Sequence, residues 1–219
     1  MDKYCVKCAD TIIANSNYTR EFIYRAYGLC AKTNHLGVDT VEFKRLDGMG
    51  KENFVLSVGS LHHIKGHDFV IKSLARIPLK KRPRLIVIGK GSNNETKRLK
   101  NLADSCGIKL DSMHIPTTEG MVKLYNRAKL TLVASIMEPF GLVAIESMAY
   151  ETPVVAVGEA GLRETVTAAT GILTNRVEKE FAMAVEYLLD NTELAGRMGK
   201  QGRKHVEEKF TWQRTIEQL

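Results

Sequence analysis

From residue 54 onward the chain alternates between two hydrophobic patterns. Short continuous apolar runs occupy 54–59 (FVLSVG), 84–89 (RLIVIG), 113–116 (MHIP), 130–135 (LTLVAS), 153–157 (PVVAV) and 171–174 (GILT). They are rich in Val, Ile and Leu and show no polar alternation. Strands buried on both faces read this way, and they occur in parallel sheets covered by helices. The segments between them, 67–77, 94–106, 118–128, 141–150 and 161–168, are long enough for crossover helices. This alternation predicts an α/β domain built on a Rossmann-like, doubly wound parallel sheet. The stretch 178–219 reads as helices only. Ala182, Val185, Leu188 and Leu189 keep helical spacing there, and Leu194, Met198 and Val206 follow more loosely.

The first 40 residues differ. Residues 11–15 (TIIAN) read as a strand, and Ser16 or Asn17 can cap a helix from Tyr18 to about Tyr27. One βα unit is too small for a core of its own. This βα unit, within residues 1–40, reads as the tail of a preceding domain or as an extra unit on the edge of the Rossmann-like domain that follows over 41–219.

Composition narrows the function classes. With 219 residues, 44% apolar and 26% charged, the chain suits one large globular domain, and collagen, coiled coil or disorder fail as whole-chain descriptions. No apolar run reaches the length of about 18 residues that a spanning helix needs. The N-terminus, MDKYCVKCAD, lacks the apolar stretch of a secretory signal. A cytoplasmic location is expected. The surplus of 32 basic over 25 acidic residues gives +7, which fits a phosphorylated small molecule, a nucleic acid or an acidic membrane surface. Basic residues are scattered and no aromatic-rich RNA motif occurs, so no nucleic-acid partner is expected. The densest basic run, Lys80, Lys81, Arg82 and Arg84, reads as a solvated turn.

Cys5 and Cys8 form one CxxC without a second pair. Together with Cys30 and Cys106 they read as free thiols of a reducing compartment. His62, His63 and His67 match no catalytic zinc spacing and read as surface or packing residues, so no metal site is expected.

Ligands of an open parallel sheet bind beyond the carboxyl ends of its strands, and three such ends stand out. In the first, Gly59 closes a strand and Lys65 lies near the start of the next helix, so that Gly59, Ser60 and Lys65 could meet a phosphate. In the second, Gly89-Lys90-Gly91 lacks the third glycine of a dinucleotide fingerprint, and MHIP ends without the acidic residue. A dehydrogenase reading is therefore poor. The third, Glu138-Pro139-Phe140-Gly141-Leu142-Val143-Ala144-Ile145-Glu146, carries the most information. Gly141 opens a helix whose first amides, at about Gly141, Leu142 and Val143, can hold a diphosphate. Glu146, a turn inside, can accept from the vicinal hydroxyls of a ribose. Glu138 precedes the helix, where an attached sugar would project. An amphipathic helix with two surface glutamates has the same spacing.

These residues resemble the retaining GT-B glycosyltransferases of family 4, the glycosyl transferases group 1. The mark of that family is Glu-x7-Glu within a string like EPFGLVxxEAMA, here EPFGLVAIESMA with Glu138 and Glu146. Gly59, Leu61, Lys65 and Gly66 match its GRLxxxKG, Gly89 and Gly91 its GxG, and Tyr125 and Ala128 its YxxA. Pro153-Val154-Val155-Ala156, Gly171-Ile172-Leu173 and Phe210-Thr211-Trp212 follow in family order.

The resemblance implies that residues from about 41 form the C-terminal, donor-binding half of a GT-B fold. The donor it implies is a nucleotide-diphosphate sugar, with no cofactor and no required metal. Lys65 would contact the diphosphate. The amides of Phe140, Gly141 and Leu142 would hold phosphate and sugar hydroxyls. Glu146 would take the ribose, and Glu138 would sit beside the transferred sugar. The base would lie near His114, Ile115 and Pro116.

Ser60 stands where the family has an arginine, a lost clamp worth about 1.5–3 kcal/mol unless something such as Arg163 or the His62–His63 pair replaces it. The acceptor would need the family's N-terminal domain, of which this chain keeps only the last βα unit, or else a partner chain. A non-catalytic nucleotide-sugar-binding module is the alternative. Many relatives act on lipid-linked or cell-surface glycans, so peripheral membrane association of a parent enzyme is also implied.

Overall fold

A computed structural model of the chain describes residue 6, residues 8–114 and residues 117–219. Six parallel strands form the main sheet in the order β5-β4-β3-β6-β7-β8. They are β3 (Phe54–Val58), β4 (Arg84–Ile88), β5 (Leu110–Met113), β6 (Leu130–Val133), β7 (Val154–Val157) and β8 (Gly171–Thr174). Alternate residues of each apolar run face opposite layers, which explains their lack of polar alternation. Val55, Leu85, Val87, Leu130, Leu132 and Val155 pack against helices His67–Leu74, Asn93–Ser105 and Glu178–Asp190. Leu56, Ile86 and Ile88 pack on the other face with Tyr125 of helix Thr118–Arg127. Val133, Val154 and Ala156 pack on that face with Ala144, Ile145 and Met148 of helix Leu142–Ala149. Helices on both faces make the sheet doubly wound, as the pattern predicts.

The edge strand β5 departs from expectation. It spans Leu110–Met113, upstream of the expected 113–116, and Ile115 and Pro116 lie outside the described residues. All four of its residues are half-buried. One flank of an edge strand meets water, so Asp111 and Ser112 are tolerated, and a search for apolar runs passes over them. Asp111 is held by Arg84 of β4. The helix expected over 161–168 is a single turn, Leu162–Thr165, ended by extended backbone at Val166. The basic run is more than a solvated turn. Lys81 pairs with Asp190 at 2.7 Å and Glu186 at 3.0 Å, and the Arg82 guanidinium donates to the carbonyls of Ala75, Ile77 and Cys106. Among the described residues Cys8, Cys30 and Cys106 are free thiols, and no helix is long and apolar enough to cross a membrane.

The N-terminal unit has its own two-stranded parallel sheet, β1 (Ile13–Ala14) with β2 (Lys32–Thr33). Between these strands runs helix Asn17–Tyr27, which Ser16 caps by accepting from the Thr19 amide, and which Gly28 ends at φ 71°. The helix docks through Glu164. That carboxylate accepts from the amides of Asn17 at 2.9 Å and Tyr18 at 2.8 Å and from the Asn17 side chain at 2.9 Å, with His35 Nε2 at 3.3 Å. Ser16 Oγ also donates to the Pro139 carbonyl at 2.6 Å. Burial pushes the Glu164 carboxyl up, but the amide hydrogen bonds outweigh it and hold the group below the usual glutamate value. Its stabilisation is therefore present above the ordinary glutamate range and is lost as pH falls through the depressed value.

Glu164→Gln removes the charge that caps this helix. We expect about 1–2 kcal/mol less protection of the amides of residues 17–27 at pH 7, read by hydrogen exchange. The difference between variant and parent should close as the pH falls through the depressed Glu164 value.

Candidate functional site

β3 and β6 are neighbours, but β4 lies beyond one and β7 beyond the other. The chain therefore leaves their carboxyl ends toward opposite sides, and a crevice opens between the two loops that follow.

The loop after β3 begins at Gly59, with φ 147°. It continues through a 3-10 turn, His63–Lys65, to Gly66 in the left-handed region at φ 73°. A Cβ on Gly66 would lie 2.1 Å from the Ala134 carbonyl oxygen, so the two loops touch backbone to backbone. Gly89 serves the same loop, since a Cβ there would lie 1.7 Å from the Gly59 oxygen. The glycines after β4 thus make room for a neighbouring loop. His67 is buried beneath. Its Nε2 faces the carbonyls of Gly59 and Ser60, each at 3.2 Å, and its Nδ1 faces Ser57 Oγ at 2.9 Å. Carbonyls only accept, so Nε2 carries the proton and Nδ1 accepts from Ser57. Burial lowers the His67 pKa and keeps the ring neutral. As expected, it is a packing histidine, while His62 and His63 are exposed.

The loop after β6 is pinned by Arg176. Its guanidinium donates to the carbonyls of Ala134 at 2.9 Å and Ser135 at 3.0 Å, pairs with Glu159 at 2.9 and 2.6 Å, and lies 5.6 Å from the Phe69 ring centroid. Met137 then takes a left-handed φ of 52°, unusual for a side chain of its size. Glu138 follows, and its Oε2 accepts from Lys65 Nζ at 2.9 Å across the crevice. Both side chains are more than two-thirds buried, at 29% and 17% exposure. Phe140 is buried with its ring centroid 5.7 Å from that of His35, so it can offer a ligand only its backbone.

Gly141, at φ 102°, caps helix Leu142–Ala149 with no side-chain hydrogen bond, and the first turn carries no acidic residue. A Cβ on Gly141 would lie 2.8 Å from Leu162 Cδ2. The Ala144 and Ile145 amides turn back to the Gly141 carbonyl at 2.9 and 3.3 Å. The amides of Leu142 and Val143 are left facing outward, with the positive end of the helix behind them. One turn on, Glu146 Oε2 accepts from Tyr125 Oη at 2.8 Å. Burial pushes the Glu146 carboxyl above its usual value, and the tyrosine hydrogen bond opposes that.

The candidates therefore fall into three places. Gly59, Ser60, Lys65, Glu138, Phe140, Gly141 and Leu142 belong to the two loops of the crevice, and Lys65 with Glu138 is brought into direct contact. Glu146 is bonded to Tyr125 rather than to that pair. His114 is exposed beyond the edge strand β5, and Ile115 lies outside the described residues. Arg163 is engaged with the Gly158 carbonyl.

Sequence reasoning missed the positioning by His67, Arg176 and Tyr125. Only Tyr125 left a signal, through its match to YxxA. The arrangement can hold an anion on the lysine and the helix amides, flanked by two carboxylates that accept hydroxyl donors.

The sequence profile of the family described as glycosyl transferases group 1 matches residues 39–205. The chain is 34% identical over 179 residues to the D-inositol 3-phosphate glycosyltransferase of Nocardia farcinica, covering 77% of this chain and 39% of that protein. The sucrose-phosphate synthase of Thermosynechococcus elongatus superposes with a TM-score of 0.87 at 25% identity, over 99% of this chain and 58% of that one. HepE of Anabaena, solved in complex with UDP and glucose, superposes with a TM-score of 0.85 at 22% identity, over 96% of this chain and 61% of that one. This last likeness is one of fold. The chain spans about half the length of the curated relatives it matches, from 39% to 55%.

The close approach of the two loops gives a direct test. Gly66→Ala should cost roughly 1–3 kcal/mol in urea unfolding, because the left-handed backbone and the Ala134 carbonyl both oppose a Cβ. Gly48→Ala, also left-handed but with nothing within 4 Å of the added Cβ, should cost about 1 kcal/mol through backbone conformation alone.

Proposed function

The chain belongs to the glycosyl transferases group 1 family, and from that premise we propose that it is the donor-binding half of a retaining, family 4 glycosyltransferase of GT-B fold. The substrate is a nucleotide-diphosphate sugar. The reaction moves the sugar to an acceptor with retained anomeric configuration. The acceptor site comes from a further segment or a partner chain.

One observation carries the reading. A partly buried Lys65–Glu138 pair, 2.9 Å apart, stands beside an uncapped helix N-terminus at the point where strand order reverses. The pieces divide the donor among them. The amides of Leu142 and Val143 and the Lys65 ammonium take the diphosphate, where negative charge grows as the sugar leaves. Glu138 accepts from hydroxyls of the sugar. Glu146 accepts from the ribose. His114 and Ile115 lie by the base, and Ser60 offers its backbone where relatives place an arginine. This chemistry requires no metal, since a lysine and a helix end supply the positive charge. HepE was solved with UDP and glucose, so UDP is the first nucleotide to try.

Calorimetric titration with UDP, GDP and ADP, and then with their sugar conjugates, tests the proposal. We expect one base to bind. Glu146→Ala should weaken binding by about 1.5–3 kcal/mol through lost charge-assisted hydrogen bonds, and Lys65→Met should do so by a similar amount. If a folded chain binds none of the three, the donor-site reading fails. If Glu146→Ala binds unchanged, the ribose role fails.

A further inference from the structure

Glu146 is a carboxylate in a place that disfavours its charge. Burial pushes its pKa up, and among the described residues no cation acts on it. The group that opposes this is Tyr125, whose hydroxyl donates to Oε2 at 2.8 Å. Tyr125 is 1% exposed, and among the described residues its hydroxyl makes no other hydrogen bond.

The ring is fully buried and stacked on one face. Tyr150 stacks on it with centroids 5.1 Å apart and 13° between planes, and Phe43 stacks on Tyr150 at 5.5 Å. The Tyr125 carbonyl accepts from Thr152 Oγ1 at 2.7 Å. A ladder of three rings, from the loop before β3 and from the ends of two helices, therefore aims one phenol at one carboxylate oxygen. Such an arrangement costs conformational freedom, and a core tyrosine needs only some acceptor to be satisfied.

We propose that Tyr125 is a positioning residue for the donor. It keeps Glu146 ionised in a poorly solvated site and leaves Oε1 free to accept from the vicinal hydroxyls of the nucleotide's ribose. This rests on the donor-site reading above. The ionisable groups that face the pair are Tyr150, which burial keeps neutral, and, beside Tyr150, Glu42; neither supplies a positive charge to Glu146.

Tyr125→Phe tests the inference with two readouts. It keeps the ring, the stacking and the backbone contact. The first readout needs no ligand. The side-chain carboxyl carbon of Glu146 is followed by 13C NMR against pH and assigned by its absence in Glu146→Gln. Its titration should move upward by about one pH unit in the variant, the size expected for one lost charge-assisted hydrogen bond.

The second readout is binding of whichever of UDP, GDP or ADP binds the parent, measured from pH 5.5 to 8.5 beside its 2′-deoxy form. The variant should bind the ribonucleotide more weakly at the acidic end, by up to about tenfold. The loss should shrink as pH rises, and the 2′-deoxy form should show little of it. An unmoved Glu146 titration overturns the inference, as does a loss that is equal at every pH or equal for the deoxy form. Failure of the underlying reading looks different: there Glu146→Gln itself leaves nucleotide binding unchanged, while the NMR titration still reports on Tyr125.

Discussion

Parallel strands bring all their carboxyl ends to one edge of a sheet, and neighbours whose chains depart to opposite sides cannot close the space between them. That constraint, met at β3 and β6, underlies the rest of the site. Two loops must meet across the gap without a strand to join them. They do so backbone to backbone, at Gly66 against Ala134. Where they meet, Lys65 from one and Glu138 from the other come within 2.9 Å.

Loops at such a gap carry carbonyls and amides that no ladder satisfies, and the protein sorts them by direction. Carbonyls are drawn inward: Gly59 and Ser60 to neutral His67, Ala134 and Ser135 to Arg176. Amides are left outward at the head of helix Leu142–Ala149. The surface offered to a ligand is therefore richer in donors than the loops themselves. Under the proposed reading, part of the preference for anions comes from His67 and Arg176, which hold the loop carbonyls from behind. Under that same reading this arrangement also explains how a chain whose basic residues are scattered can take a phosphate there, for the field is made by oriented backbone as much as by side-chain charge.

The architecture was legible where burial is two-sided. The runs 54–59, 84–89, 130–135 and 153–157 contain β3, β4, β6 and β7, whose two-sided burial leaves only small polar residues such as Ser57 and Thr131 within them; β8, the other edge, was legible within 171–174 through Ile172 and Leu173, although Leu173 is exposed. β5 was misplaced because its outer flank is wet and Asp111 and Ser112 interrupt the pattern. At the site, Glu138 and Glu146 could be read from spacing around a helix start. Their partners lie far away in sequence: Lys65 is 73 residues from Glu138 and Tyr125 is 21 from Glu146. Arg176 is 42 residues from Ala134. Nothing local marks a side chain whose work is to hold another element's backbone, and its position becomes visible only when the sheet is assembled.

The Lys65–Glu138 contact also bears on turnover. Under the proposed reading, an intact donor replaces both members of the pair at once: diphosphate takes the lysine, and sugar hydroxyls take the carboxylate. When the sugar has been passed on, the remaining nucleotide diphosphate can satisfy only the lysine. Glu138 is then a half-buried charge without a partner, which is an expensive condition. Its cheapest relief is to reclaim Lys65. Under the proposed reading, Lys65 thus exchanges one acceptor for another, Glu138 in the free crevice and the diphosphate in the loaded one, so donor binding and the breaking of this ion pair are one event.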